Sequence, residues 1–248
     1  MKNLLWKGGM PIRNKFVIDS KDTLAEAVEI FKILPFFANA VPGLSIEEMC
    51  LPDLLFGGNH DEGCWEWKGP VIRKGIAAYG KFFRKKAGFV SLEILPDFLN
   101  YRRQLYPIKE GTTEEMLLEI IKENDSLSST ELKKLIFGSK KRMTENMLPD
   151  NDDYLQGISK KPKSLEAPLQ KLQMGGWIII SDFEYKKTKR GDRYGWGVAR
   201  YSTPELTYRN SVDMIKKTSS EESLETIINM MKSIYPVATS ESLHLLLS

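Results

Sequence analysis

Apolar residues recur at helical spacing along the chain, and most such runs begin behind a side chain able to cap them. Leu24, Ala27, Val28, Phe31 and Leu34 mark one face of a first helix. Thr23 and Glu26 stand before it at capping-box spacing, and Pro35 ends the pattern. Met116, Leu117, Ile120 and Ile121 follow Thr112 and Glu115 in the same way. Leu132, Leu135 and Ile136 follow Ser128 and Glu131, with Gly138 as the stop, because glycine tolerates a left-handed backbone. Residues 164–174 form the next helix, with Leu165, Leu169 and Leu172 on one side and Gly175–Gly176 closing it. Pro168 must lie in its first turn or kink it. A last helix carries Leu224, Ile227, Ile228, Met231 and Ile234 behind Ser219 and Glu222.

Strand patterns fall between these runs. Residues 81–95 read as a hairpin turning at Lys85–Gly88, with Phe89 and Val90 opening the return strand. Residues 177–187 and 193–202 read as strands around the turn 188–192, with Trp177, Ile178, Ile179 and Ile180 giving the apolar surface. A short helix is expected at 45–50 and another at 70–78, and residues 95–107 read as a short segment leading to Pro107. The fold class is therefore α+β. After residue 111 the order is three helices and then a β-ribbon, which is the order of a winged helix. The expected organisation is a mixed α/β N-terminal region over 1–110 and a winged-helix region over 111–205 carrying a long insertion at 139–163. A helical tail over 206–248 follows. The tail is expected to pack back on the protein, with a homodimer contact through its helix as the alternative.

The chain has 248 residues, 42% of them apolar and 28% charged, enough for one large or two modest buried cores. A net charge of +3 is too small to argue for any partner. Its distribution says more. Nine acids face two lysines from Val17 to Gly63, and nine bases face two acids from Lys68 to Arg103. Such blocks either neutralise each other across one domain or leave a basic footprint for nucleic acid. Two cysteines, an N-terminus without an apolar core and no window of membrane-span length together lead to the expectation of a cytoplasmic chain.

Lys186, Lys187, Lys189, Arg190 and Arg193 crowd the ribbon turn, where mobile cations could meet phosphates. The opposing view is a solvated edge that discourages strand pairing. Tyr194, Trp196 and Val198 fall on one strand face by period two. Gly195 and Gly197 fall on the other, where a second backbone could approach. In the helix before the ribbon, Lys163, Gln170 and Lys171 are candidate readers of bases or phosphates. Trp65 and Trp67, if extended, could stack on bases, and Arg84, Lys85 and Lys86 follow closely. The alternative is that the tryptophans anchor a loop into the core. His60 and Cys64, with only His244 and Cys50 besides, lack the spacing of a zinc site, so no metal is expected. No Gly-x-Ser-x-Gly, P-loop or dinucleotide fingerprint occurs, so no cofactor is expected.

Residues 63–91, with their Trp-x-Trp-Lys block, and residues 169–205, with Tyr194-Gly-Trp-Gly and Tyr201-Ser-Thr-Pro-Glu, carry a resemblance. They are similar to a bacterial family related to the winged-helix alkylpurine DNA glycosylases, across most of residues 30–208. That resemblance implies winged-helix character and contact with DNA. It does not carry over catalysis, because such glycosylases use a Gln-x-Gln or Gln-x-Asp pair. Gln104, Gln156, Gln170 and Gln173 form neither. An acid such as Glu66 or Asp97 could activate water, but the chain has 33 acids and no pattern selects one. The leading expectation is nucleic-acid binding without chemistry, with duplex DNA the favoured target. A glycosylase-like repair enzyme and a protein-interaction module are the alternatives.

Overall fold

Ser20 opens the first helix. Its hydroxyl accepts the Thr23 N–H, and the Thr23 hydroxyl accepts the Ser20 N–H, so the capping box closes one turn before the expected Thr23–Glu26 pair. Thr23 can do this because a hydroxyl at the third helical position reaches back as a glutamate would. The computed structural model describes residues 16–57, 63–138, 164–209 and 218–248. The expected insertion at 139–163, with Lys163, and His60 lie outside the described residues.

Among the described residues the chain begins α1 (Lys21–Phe31), β1 (Ile33–Pro35), α2 (Ile46–Met49), a 3-10 turn (Pro52–Leu54) and α3 (Cys64–Arg73). It continues β2 (Ala77–Phe83), β3 (Lys86–Ser91), α4 (Leu95–Leu105), α5 (Thr113–Glu123), β4 (Leu127–Ser128) and α6 (Ser129–Phe137). It ends α7 (Glu166–Met174), β5 (Ile179–Lys187), β6 (Arg193–Ser202), α8 (Pro204–Thr207), α9 (Ser220–Ile234) and α10 (Ser240–Leu247). The protein is mixed α+β, with helices around two small antiparallel sheets, ordered β1-β3-β2 and β4-β6-β5. The boxes at Ser128–Glu131 and Ser219–Glu222 are present, and Gly138 ends α6 at φ 76°. Thr112 caps α5, but the Glu115 carboxylate turns to the Gly111 N–H instead of closing a box.

Three element bounds shift, the first being the hairpin turn, expected at Lys85–Gly88 and found at Arg84–Lys85. The helix expected at 70–78 lies at Cys64–Arg73 and contains Pro70, while Ala77 and Ala78 begin β2. The segment after Ile94 is a full helix, α4. In the first sheet Gly88 sits in the central strand opposite Pro35 and Gly80. A Cβ there would fall 2.7 Å from both Pro35 Cα and the Leu34 carbonyl oxygen, so only glycine fits. The β2–β3 hairpin turns on Arg84 and Lys85, both left-handed at φ 50° and 67°. Two left-handed central residues match the right-handed twist of the flanking strands, normally with asparagine and glycine in those places.

Two apolar cores form. The larger gathers Leu24, Val28, Phe82, Phe83, Phe89, Phe98 and Leu99 with Ile227, Tyr235, Leu243 and Leu246 from the last two helices. The smaller gathers Leu117, Ile120, Ile121, Leu132, Ile136, Leu169 and Leu172. Strand β5 lies at their seam: Ile178, just before it, belongs to the smaller core, and Ile179 and Ile180 to the larger.

Arg102 joins the two. It is 0% exposed, and no carboxylate among the described residues pairs with it. Its Nε donates to the Met174 carbonyl at 2.6 Å, Nη2 to the Phe82 carbonyl at 3.2 Å, and Nη1 to the Leu247 carbonyl. Its guanidinium also lies 4.6 Å from the Tyr106 ring centroid. Three backbone acceptors from α7, β2 and α10 thus converge on one planar cation. An Arg102→Lys protein keeps the charge but cannot reach three diverging carbonyls. We expect it to unfold in urea with stability lowered by about 2–4 kcal/mol; an unchanged midpoint would remove Arg102 from this role.

Candidate nucleic-acid interface

The ribbon β5–β6 carries the expected basic turn. Thr188 organises it: its N–H donates to the Asp192 carbonyl at 2.8 Å, and its hydroxyl accepts the Arg190 and Asp192 N–H groups. Gly191 takes φ 93° at the tip. The Asp192 carboxylate accepts the Thr188 hydroxyl at 3.4 Å. Lys186, Lys187, Lys189 and Arg190 are exposed, and none forms an ion pair with any described residue. Arg193 differs, because its guanidinium lies 5.0 Å from the Tyr185 ring centroid.

Most cations of the basic block, and Arg200 beyond it, are engaged. Arg73 pairs with Asp182 at 2.6 Å, Lys74 with Asp22 at 3.0 Å and Arg103 with Glu205 at 2.6 Å. Arg200 bridges Glu131 and Glu184 at 3.2 and 3.3 Å. Lys86 donates to the Ala38 carbonyl at 2.7 Å, while Arg84 and Lys85 stand exposed in their turn. The acidic and basic blocks therefore meet directly at Asp22–Lys74, and Arg73, Arg102 and Arg103 of the basic block are engaged with neighbours elsewhere.

In α7, Lys171 pairs with Glu114 of α5 at 3.0 Å. Gln173 is buried, its amide oxygen accepting the Lys81 N–H at 3.1 Å and its amide donating to the Leu169 carbonyl. Gln170 is half-buried and keeps its amide uncommitted among the described residues.

Trp65 and Trp67 lie on a helix, so the two-residue spacing does not place them on one face. Trp65 packs edge-on against Phe36 at 5.3 Å and Trp196 at 5.7 Å, and tilted against Phe56 at 5.9 Å. Trp67 instead lines a cleft of about 300 Å³ with Lys21, Glu66, Gly69, Pro70, Arg73, Tyr185 and Arg193. The cleft runs between α3 and the ribbon. The Tyr185 hydroxyl donates to the Glu66 carboxylate across it. Burial, then the hydrogen bond to Glu66 and its charge, push the Tyr185 phenol well above its usual range, so it remains a donor. Pro70 has no N–H to return to the Glu66 carbonyl, so that acceptor lacks its usual helical partner along this wall.

Tyr185 escaped the sequence reading. A signal existed in the glycines opposite. A Cβ on Gly197 would lie 2.8 Å from the Tyr185 ring, so an aromatic side chain, not a second backbone, fills the space. Gly195 takes φ 72°. The ladder pairs Glu184 with Val198 and Lys186 with Tyr194, so residues 195–197 of β6 stand opposite Tyr185 alone. Tyr194 and Val198 stay paired with Lys186 and Glu184, while Trp196 falls within the bulge and stands 68% exposed.

Lys68 sits beneath, only 2% exposed. Its ammonium lies 3.7 Å from the Trp65 ring centroid and 4.6 Å from that of Phe183, and it donates to the Trp65 carbonyl. Among the described residues no group of three or more His, Cys, Asp or Glu side chains is placed to hold a metal ion, and no helix is long and apolar enough to cross a membrane.

Fold and surface together define a mixed α+β protein with a polar cleft under a basic β-ribbon. The chain belongs to the AlkZ-related family, whose model matches residues 18–248. No curated protein and no solved structure matches it.

Burial lowers the Lys68 ammonium from its usual 10.5 to about 8, opposed by the Glu66 charge. The unfolded chain therefore binds the extra proton between those values, and folding stability should rise with pH across that window. Below about pH 8 the cost is fully present. We expect Lys68→Met to raise stability at neutral pH by about 1–3 kcal/mol and to abolish this rise, as read by urea unfolding at a series of pH values.

Proposed function

We propose that residues 111–205 form a winged helix that binds duplex DNA through the ribbon tip. The order α5, β4, α6, α7, β5, β6 supports the winged-helix reading. So does the pairing of the two-residue β4 with β6, Leu127 opposite Tyr201, which adds a third strand on the inner edge of the ribbon. The family relation to proteins acting on DNA supports the partner. The observation that carries the reading is the unpaired state of Lys186, Lys187, Lys189 and Arg190, among the described residues, at the exposed end of that ribbon. Cations already bound to carboxylates would have to break those pairs before releasing counterions from a phosphate backbone; these do not.

Such binding is dominated by phosphate contacts. Gln170 is the one expected base reader on α7 not tied to a described residue, since Lys171 holds Glu114. Affinity for duplex DNA should fall steeply with salt, with little dependence on sequence. In the Lys187→Ala/Lys189→Ala/Arg190→Ala protein the log–log slope should flatten by about 2–3. A slope equal to wild type would count against the ribbon tip.

The cleft favours a second reading, a glycosylase-like repair enzyme. It brings one carboxylate, Glu66, together with Lys21, Arg73, Arg193 and an aromatic wall, directly below the ribbon. Here Glu66 would orient water or offset positive charge on the sugar. Incubation with alkylated duplexes should then release free base, and Glu66→Gln should stop it. Wild-type protein that releases no more than a heat-killed control would end this reading.

A further inference from the structure

We infer that Trp196, Trp65 and Phe56 form a stacking platform for an unpaired DNA base. This rests on the nucleic-acid reading above and adds to it the kind of DNA the protein prefers. The three rings form one contiguous cluster: Phe56 lies tilted against Trp65 at 5.9 Å, and Trp65 meets Trp196 edge-on at 5.7 Å and 88°, so each exposed ring offers its own face. Its two outer members are open to solvent, Trp196 at 68% and Phe56 at 52% exposure.

Trp196 is displayed by construction. Gly195 supplies the left-handed residue that starts the bulge, Gly197 leaves room for the Tyr185 ring, and the indole between them is turned away from the ladder. Bulges re-aim side chains, and this one aims a large apolar ring outward. A strand without the two extra residues would keep the ladder regular.

The occupant follows from the surroundings. An apolar partner surface would suit the rings but not the uncommitted cations Lys186 and Lys187, a few residues away on the same ribbon. A nucleotide meets both, with a π-face for the rings and a phosphate for the cations. In a fully paired duplex every base face is covered by its neighbours, so the platform selects DNA carrying a base that is already unstacked.

The test is fluorescence anisotropy with three labelled DNAs: a fully paired duplex, the same duplex with one unpaired adenine, and one of its strands alone. Trp196→Ala should weaken binding to the second and third by about 5- to 100-fold and leave the paired duplex within about twofold. Trp196→Phe, which keeps a ring, should restore most of the loss. Equal loss on all three DNAs, or no loss on any, overturns the inference. So does sedimentation showing that Trp196→Ala separates a wild-type dimer, which would make the patch a self-contact. Should the three-alanine ribbon protein lose duplex binding while Trp196→Ala changes nothing, the ribbon reading stands and the platform falls. Wild-type protein that binds none of the three DNAs overturns both.

Discussion

A single buried guanidinium sets the geometry on which the interface depends. Moving an ion of this size out of water costs several kcal/mol unless hydrogen bonds replace its hydration. For Arg102 the replacements are backbone carbonyls from Met174, Phe82 and Leu247. Met174 and Leu247 are the last residues of α7 and α10, where the helix dipole concentrates negative partial charge. The cation is thus held by oriented dipoles and needs no carboxylate. Gln173, one residue before Met174, carries the Lys81 N–H of β2. Together they fix α7 against the first sheet. The chain then turns at Gly175–Gly176, where Trp177 donates to the Tyr106 carbonyl at 2.8 Å and Arg103 donates to the Gly176 carbonyl, and β5 starts from that fixed corner.

Charge is partitioned along the same lines. Cations near the junctions are tied down: Arg73 to Asp182, Arg103 to Glu205, Lys171 to Glu114, Arg200 to two glutamates. Partly exposed pairs of this kind add little stability individually, but they fix which surface remains unneutralised. What remains includes the ribbon tip and the strained turn of Arg84 and Lys85. A net charge of +3 hides this, because the protein neutralises its cations locally and selectively.

The helices behind capping boxes were legible because apolar spacing and cap chemistry agreed there, as at Ser128 and Ser219. Helix α4 was not. Its buried stripe runs Leu95, Phe98, Leu99 and then Arg102, so a charge occupies the position where an apolar residue completes the period. The residue that organises the fold is the one that erased the signal. Strand β4 was lost for a different reason: two residues cannot display a period, and their place is set by pairing with β6. The basic turn could be read from the clustering of Lys186, Lys187, Lys189, Arg190 and Arg193 along the chain. The cleft and the platform could not, since Tyr185 and Trp196 acquire their directions from a bulge in the ladder, and Trp65 and Glu66 meet them only because 64–73 is a helix.

That helix also braces the ribbon. Two consecutive residues of α3 receive the two strands: Trp65 takes Trp196 of β6, and Glu66 takes the Tyr185 hydroxyl of β5. One contact is an aromatic edge and the other a charge-assisted hydrogen bond, and both lie at the bulge, one on each strand. An isolated two-stranded ribbon is marginally stable, so a clamp at mid-length decides how much of it stays ordered. Here the Tyr185–Glu66 hydrogen bond acts as that clamp, leaving the stretch beyond residue 185 to project. The turn in that stretch is itself braced by the Thr188 hydroxyl. That bracing presents Lys187, Lys189 and Arg190 on a hydrogen-bonded turn, so the proposed phosphate contacts would not first have to order the loop that carries them.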